Sequence, residues 1–284
     1  MTKQRTEVVN TIETEKIEID RLLEDIYQHH GYDFRSYARA SIERRIRLFI
    51  ASKNCVSISE IMPKLLSDRE FFAEFISYFS VLVTELFRDS FVYRLVREQV
   101  VPLLKTWPHI KIWHAGCATG EEVYSLAIIL KEEGIYDRTT IYATDISEEA
   151  IDKANEGIYE MAALREATLR YQRAGGNASF SDYYHARYNA AAMDAALKER
   201  IVFSTHNLAT DSVFGEMHLI FCRNVLIYFN PELQNRALGL FTDSLVHGGF
   251  LCLGTKEDIS FSKVNTRFEV VDEKAKVYRK QDRI

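Results

Sequence analysis

The chain has 284 residues and a formal net charge of −5; 47% of its residues are hydrophobic, 27% are charged and only 4 are proline. That composition excludes a largely disordered or collagen-like chain, and the acidic balance argues against a nucleic-acid binder, which would carry a basic domain. The length accommodates one large domain with a smaller companion.

Up to about Pro102, apolar residues recur at three- and four-residue spacing in LLEDIYQHHGYDF, ERRIRLFIAS, SEIMPKLLSDREFFAEFISYFSVL and DSFVYRLVREQVVPLL, which predicts an all-helical unit with breaks at Gly31 and Asn54. Within Ser41–Lys53, the cations Arg44, Arg45, Arg47 and Lys53 accompany Ile42, Ile46 and Phe49. Charge alone makes them a solvated helix face. No apolar run approaches the roughly 18 residues of a membrane-spanning helix, and the opening MTKQRTEVVNTIETEKIEID is too polar for a signal peptide, so a cytoplasmic location is expected.

After Trp107 the period changes. KIWHA, TIYATD, RIVFST, HLIFCR and FLCLGT are short apolar runs ending in polar or glycine residues, and EEVYSLAIILKEE, EEAIDKANEGIY and ELQNRALGLFTDSLV between them have helical spacing. The alternation predicts a parallel sheet covered on both faces, with its ligand beyond the carboxyl ends of the strands. RFEVVDEKAKVYRK predicts a closing antiparallel hairpin. Between Ile151 and Lys198 the rhythm fails, and the glycine- and tyrosine-rich GGNASFSDYYHARYN suggests an inserted element. The cysteines, Cys55, Cys117, Cys222 and Cys252, are too far apart for a CxxC metal site or an evident disulfide framework, and the histidines show no metal-ligand spacing.

The chemistry concentrates in HAGCATGEEVYSL, a strand, tight turn and helix in which Gly116 and Gly120 allow close approach of backbone to a ligand. Glu121 and Glu122 would repel a pyrophosphate at the helix start while satisfying the helix dipole themselves. A ligand with adenosine, an amino group and a positive sulfur but no phosphate fits these charges, namely S-adenosylmethionine. Asp145, ending the second strand, is placed to bind a ribose, with helix capping by Asp145 or Ser147 as the alternative. FCRNVLIYFNP sets Arg223, Asn224 and Tyr228 at and beyond the end of another strand, and it lacks the Asn/Asp-Pro-Pro-Tyr element of methyltransferases acting on exocyclic base nitrogens.

Together WHAGCATGEEVYSLA, ATDIS, HNLA and IFCRNVLIYF resemble the CheR family of chemotaxis receptor methyltransferases, with VTELFRDSF and GGFLCLGTKED similar to its interdomain segment and late strand. The resemblance runs from about Tyr27 to Arg279. It implies an α/β fold: a Rossmann-like S-adenosylmethionine-dependent methyltransferase domain over 91–284 with an inserted subdomain near 160–199, preceded by an all-helical receptor-docking domain and linker over 1–90. It implies methyl transfer from S-adenosylmethionine to glutamates on cytoplasmic chemoreceptor helices, with S-adenosylhomocysteine as product. From the residues themselves, the ligand spacing predicts no metal, the acidic charge no nucleic-acid partner, and the lack of a long heptad a monomeric chain. By motif position Thr84, Arg88, Gly116, Glu122, Asp145, Asn207, Leu208, Asn224 and Val225 correspond to cofactor-contacting residues. Arg88 and Tyr228 correspond to residues bordering the transferred methyl, and Arg44, Arg45, Arg47 and Lys53 to a receptor-docking face. Leu82 stands where many members have Asn, and His218 where Asp is usual. These two departures are the support for an alternative, a cofactor-binding signalling or scaffolding module without turnover.

Overall fold

The computed structural model describes residues 2–79, 84–213 and 215–281, with the side chains of 2–13 set aside. The chain divides into two compact units, Met1–Phe79 with Tyr228–Leu233, and Ser80–Ile227 with Gln234–Ile284.

The first unit holds α1 (Thr2–His30), α2 (Arg39–Ser52), α3 (Ile58–Ser67) and α4 (Arg69–Phe79). Ile19, Leu22, Leu23 and Ile26 of α1 are buried at the spacing of one helix face, and α1 packs on α3 while α2 packs on α4. The core is largely aromatic: Phe49 meets Phe75 edge-on at 5.1 Å between ring centroids, and Phe34 stacks on Phe79 at 4.4 Å. Gly31 and Asn54 have left-handed φ values of 75° and 53°, which ends the helices before them. The long predicted segment SEIMPKLLSDREFFAEFISYFSVL is two helices. Asp68 leaves helical geometry, and its Oδ1 accepts from the Glu70 and Phe71 N–H groups at 3.0 Å, capping α4. The end of that segment, 80–82, lies outside the described residues.

The expected docking face needs one correction. Arg45 is 5% exposed, and its Nη1 donates to the carbonyls of Tyr78 at 2.5 Å and Phe79 at 2.9 Å, while its guanidinium lies 4.6 Å from the Tyr228 ring centroid. It ties off the last carbonyls of α4 and cannot present its charge to a partner. Arg44 and Arg47 are exposed, Arg47 pairing with Glu15 at 2.7 Å and Glu43 at 3.6 Å, and Lys53 pairs with Glu74.

The second unit opens with α5 (Ser90–Leu95), a π-helical turn (Val96–Val100) and α6 (Val101–Leu104). The wider turn precedes Pro102, whose ring lacks an N–H and would crowd an α-helical carbonyl four residues back. The strands β1 (Ile110–Ala115), β2 (Thr139–Asp145), β6 (Ile201–Thr205), β7 (Met217–Cys222), β8 (Leu245–Leu253), β9 (Phe268–Asp272) and β10 (Val277–Lys280) form one sheet in the order β6-β2-β1-β7-β8-β10-β9. The pairs from β6 to β8 are parallel, and β10 pairs antiparallel with both β8 and β9. The strands, α7 (Glu121–Glu132), α8 (Glu148–Glu156), α10 (Pro231–Ser244) and the terminal hairpin all match the sequence pattern. Because β2 lies on one side of β1 and β7 on the other, the strand order reverses at β1, and the crevice expected for a ligand lies beyond the ends of β1, β2 and β7.

The irregular interval is an antiparallel sheet, β3 (Ile158–Glu160), β5 (Ala190–Met193) and β4 (Tyr184–Arg187) in the order β3-β5-β4, with α9 (Met161–Arg173). Two of its tyrosines fasten it to α7: the Tyr171 and Tyr183 hydroxyls both donate to Glu132, the latter at 3.0 Å, and Glu132 also pairs with Arg97 at 2.5 Å. Among the described residues no helix is long and apolar enough to cross a membrane.

Candidate active site

The glycine turn is built against the end of β2. The N–H groups of Gly116 and Cys117 both donate to the Thr144 carbonyl, at 2.8 and 2.9 Å. Ala118, held at φ 47°, donates its N–H to Asp145 Oδ2 at 2.9 Å. Gly116 has φ +75°, and a Cβ there would fall 2.4 Å from Val225 Cγ2, so the turn admits no side chain. The two readings of the ATDIS acid separate here. Ser147 caps α8, its Oγ accepting from Ala150 N–H at 3.2 Å, whereas Asp145 spends its carboxylate on Ala118 and on the Ser147 N–H at 3.1 Å. Asp145 thus fixes the turn to the strand end and remains buried beside it.

Of the two acids that open α7, Glu121 is half-buried and Glu122 is buried. Glu121 accepts from the Thr119 hydroxyl at 2.7 Å, and burial pushes its carboxyl up to about 7. Glu122, 6% exposed, is ion-paired to Arg223; burial pushes its carboxyl up, opposed by the nearby positive charges of Arg223 and Arg88. Arg223 follows β7 with no side-chain exposure, and donates to Asp89 Oδ2 at 2.6 Å and to the Arg88 carbonyl at 3.2 Å besides Glu122. Arg88 itself is half-buried between Phe87 and Asp89, both at φ 54°, in a turn also held by donation from Phe87 N–H to Ser125 Oγ at 2.8 Å. Two left-handed non-glycine residues around one arginine are strained geometry that persists only when the surroundings enforce it.

Beyond Arg223, Asn224 adopts φ 60° and gives its N–H to Glu257 Oε2 at 3.0 Å, leaving its buried Oδ1 without a hydrogen-bond partner. Glu257 collects the N–H groups of Gly254 at 2.6 Å and Ile227 at 3.3 Å as well, and burial holds its carboxyl above the usual range. The sequence signal for Glu257 was its place in GTKED after a strand, which does not distinguish it from the neighbouring Asp258. On the other side, the His206 N–H donates to the Asp145 carbonyl at 2.9 Å and so brings Asn207 and Leu208 alongside; Asn207 closes a turn on the Ala209 N–H at 2.9 Å, and Leu208 is buried.

The second unit therefore brings Arg88, Gly116, Glu122, Asp145, Asn207, Leu208, Asn224 and Val225 to the carboxyl ends of β1, β2 and β7 or the loops joined to them. Thr84 is half-buried four residues before Arg88. Tyr228 groups with the first unit, where its carbonyl accepts from Ala38 N–H at 2.8 Å. Leu82 lies outside the described residues. His218 is not near the site. It stands at the start of β7, the end opposite Arg223, and its Nδ1 accepts from the Lys111 N–H at 3.0 Å. His114 is buried with its ring stacked on Phe221 at 5.5 Å, and burial lowers its pKa to about 3, so it is neutral.

These residues fit S-adenosylmethionine on the observations above. Two acids, one of them buried, occupy the helix start that a phosphate would need, and Arg223, the buried cation beside them, is consumed by Glu122 and Asp89. Gly116 lets the turn pack directly on Val225, and the orphaned Asn224 Oδ1 offers an acceptor to an amino or hydroxyl group. Among the described residues no three His, Cys, Asp or Glu side chains cluster to hold a metal ion.

Comparison with known proteins accords with this geometry. Residues 82–277 match the CheR methyltransferase, SAM binding domain, and residues 17–80 match the CheR methyltransferase, all-alpha domain. A Pseudomonas putida protein named methyltransferase Cher3 is 50% identical over 93% of this chain and 97% of its own length. The chemotaxis protein methyltransferase of Listeria innocua is 31% identical over 81% of this chain and 85% of its own. With both domain matches in order and a relative of that identity along nearly the whole length, the chain belongs to the CheR family of S-adenosylmethionine-dependent methyltransferases.

Proposed function

We propose that this protein transfers a methyl group from S-adenosylmethionine to glutamate side chains on the cytoplasmic helices of chemoreceptors, forming glutamate methyl esters and S-adenosylhomocysteine. The observation that carries the reading is the Arg88 turn. Its backbone is locked against Ser125 and Arg223, and the Arg88 charge favours the ionised form of Glu122, which supports a cation near the point where an anionic acceptor would arrive. The name borne by the Listeria innocua relative, chemotaxis protein methyltransferase, supports the choice of acceptor.

Thr84, Arg88, Gly116, Glu122, Asp145, Asn207, Leu208, Asn224 and Val225 are the residues proposed to hold the cofactor, which when bound supplies an electrophilic methyl on a positively charged sulfur. A glutamate carboxylate has a pKa of about 4.3 in water and is already ionised at neutral pH, so no base is needed to activate it. The chain's contribution is positioning and removal of water. Arg88 orients the acceptor carboxylate through a charge-assisted contact, and Tyr228 keeps its proposed place at the border of the methyl. Arg44 and Arg47, exposed on α2, are the cations left to meet an acidic receptor face. A cytoplasmic location follows from that acceptor.

Of the two departures behind the non-catalytic alternative, Leu82 lies outside the described residues and His218 stands at the start of β7, the end opposite Arg223. The test is transfer of labelled methyl to a chemoreceptor cytoplasmic fragment, scored as methanol released in mild base. Label that vanishes when receptor glutamates are changed to alanine supports the proposal. Binding of S-adenosylhomocysteine without transfer to any fragment of a competent panel would refute it.

A further inference from the structure

We propose that Arg223 is a positioning residue that sets two parts of the site at once: through Glu122 it orders the cofactor crevice, and through Asp89 and the Arg88 carbonyl it holds the turn that aims Arg88. The inference rests on the roles proposed above for Glu122 and Arg88.

The geometry separates the two arms. Nη1 serves Glu122 and the Arg88 carbonyl, and Nη2 serves Asp89 at 2.6 Å, so a planar fork spans the start of α7 and the turn before α5. The side chain has no solvent exposure, so water cannot replace any of these bonds. Phe87 and Asp89 both sit at φ 54°, a backbone state that relaxes unless something holds it. Two of the bonds holding it, to the Arg88 carbonyl and the Asp89 carboxylate, come from Arg223. The other arm opposes burial at Glu122: burial favours the neutral acid and the Arg223 charge favours the carboxylate. A lysine would supply the charge but not the fork.

Three full-length variants test this, with S-adenosylhomocysteine affinity read by calorimetry across pH and methyl transfer to the receptor fragment read as kcat. Asp89→Asn removes the charge from the turn arm and leaves the Glu122 bond in place. It is expected to lower kcat by about tenfold or more while the affinity for S-adenosylhomocysteine stays within about twofold. Arg223→Gln leaves Glu122 facing Arg88, Asp89, Glu121, Tyr93, Cys222 and Cys252 without its main counter-charge. Its affinity is expected to fall further than wild type's as pH is lowered through neutrality, and adding Glu122→Gln should erase that extra dependence. Arg223→Lys should restore the affinity profile but not kcat. A purely structural Arg223 would give lower melting temperatures with unchanged pH profiles, which would overturn the proposal. So would Asp89→Asn with wild-type kcat, a readout that survives if the Arg223 variants fail to fold. Wild type that binds no S-adenosylhomocysteine would instead sink the functional reading on which the proposal stands.

Discussion

At the scale of single residues, the site combines one steric necessity with several buried charges. Gly116→Ala places a Cβ 2.4 Å from Val225 at a φ of +75°, so S-adenosylhomocysteine should bind about tenfold more weakly or worse, measured by calorimetry, while wild-type affinity would show that the turn can shift. Arg88→Ala should reduce kcat by about 100-fold with under about tenfold loss of S-adenosylhomocysteine affinity; equal losses would make Arg88 mainly a cofactor ligand. Glu121 gives a pH signature. Its folded-state pKa of about 7 lies above the ordinary 4.5, so the folded state binds the proton more tightly and stability falls as pH rises between those values. Denaturant titrations from pH 5 to 8 should show a decline that Glu121→Gln removes, worth at most about 3 kcal/mol; identical slopes would contradict the burial argument. The glycines and acids of this turn were legible in the sequence because backbone clearance and charge are local properties. Arg223 was seen near the site but its partners were not, since Asp89 and Glu122 are 134 and 101 residues away in the chain.

At the scale of elements, strands and helices of the large sheet follow the apolar period closely, and the exceptions have physical causes. Arg45 was assigned to the polar face of α2, yet Ile42, Arg45, Ile46 and Phe49 are all buried and share one helical stripe. The position carried the signal, and the residue type hid it. Arg45→Ala should therefore lower the stability of the helical unit by about 2–3 kcal/mol in urea unfolding, leaving the α4 carbonyls unpaired, whereas Arg44→Glu should leave stability unchanged and weaken binding to a receptor fragment. The inserted sheet escaped the sequence because its strands span only 3 or 4 residues, and β5 is Ala-Ala-Ala-Met, poor in the β-branched and aromatic residues that mark strands. Its attachment depends on Glu132, which gathers Tyr171, Tyr183 and Arg97. Glu132→Ala removes the acceptor of both tyrosine hydroxyls and leaves Arg97 to Glu133 alone at 3.1 Å, and should cost about 3 kcal/mol, with faster amide exchange in β3, β4 and β5 than in β1 or β2.

At the scale of the whole molecule, the sequence announces a helical unit followed by an α/β unit by a change in hydrophobic period, and both family matches fall in that order. The position of Tyr228–Leu233 with the helical unit was beyond its reach, since a return of the chain to an earlier unit leaves no mark in local spacing. On the proposed reading, the α/β unit supplies a site for a cofactor without phosphate and one strained turn bearing Arg88, suited to an acceptor that arrives already ionised. The measurement closest to that claim is tandem mass spectrometry of a chemoreceptor cytoplasmic fragment after incubation with the enzyme and S-adenosylmethionine. The account predicts methyl groups on glutamate side chains, absent with Arg88→Ala at matched time; methyl groups confined to lysine, or to any residue other than glutamate, would contradict it.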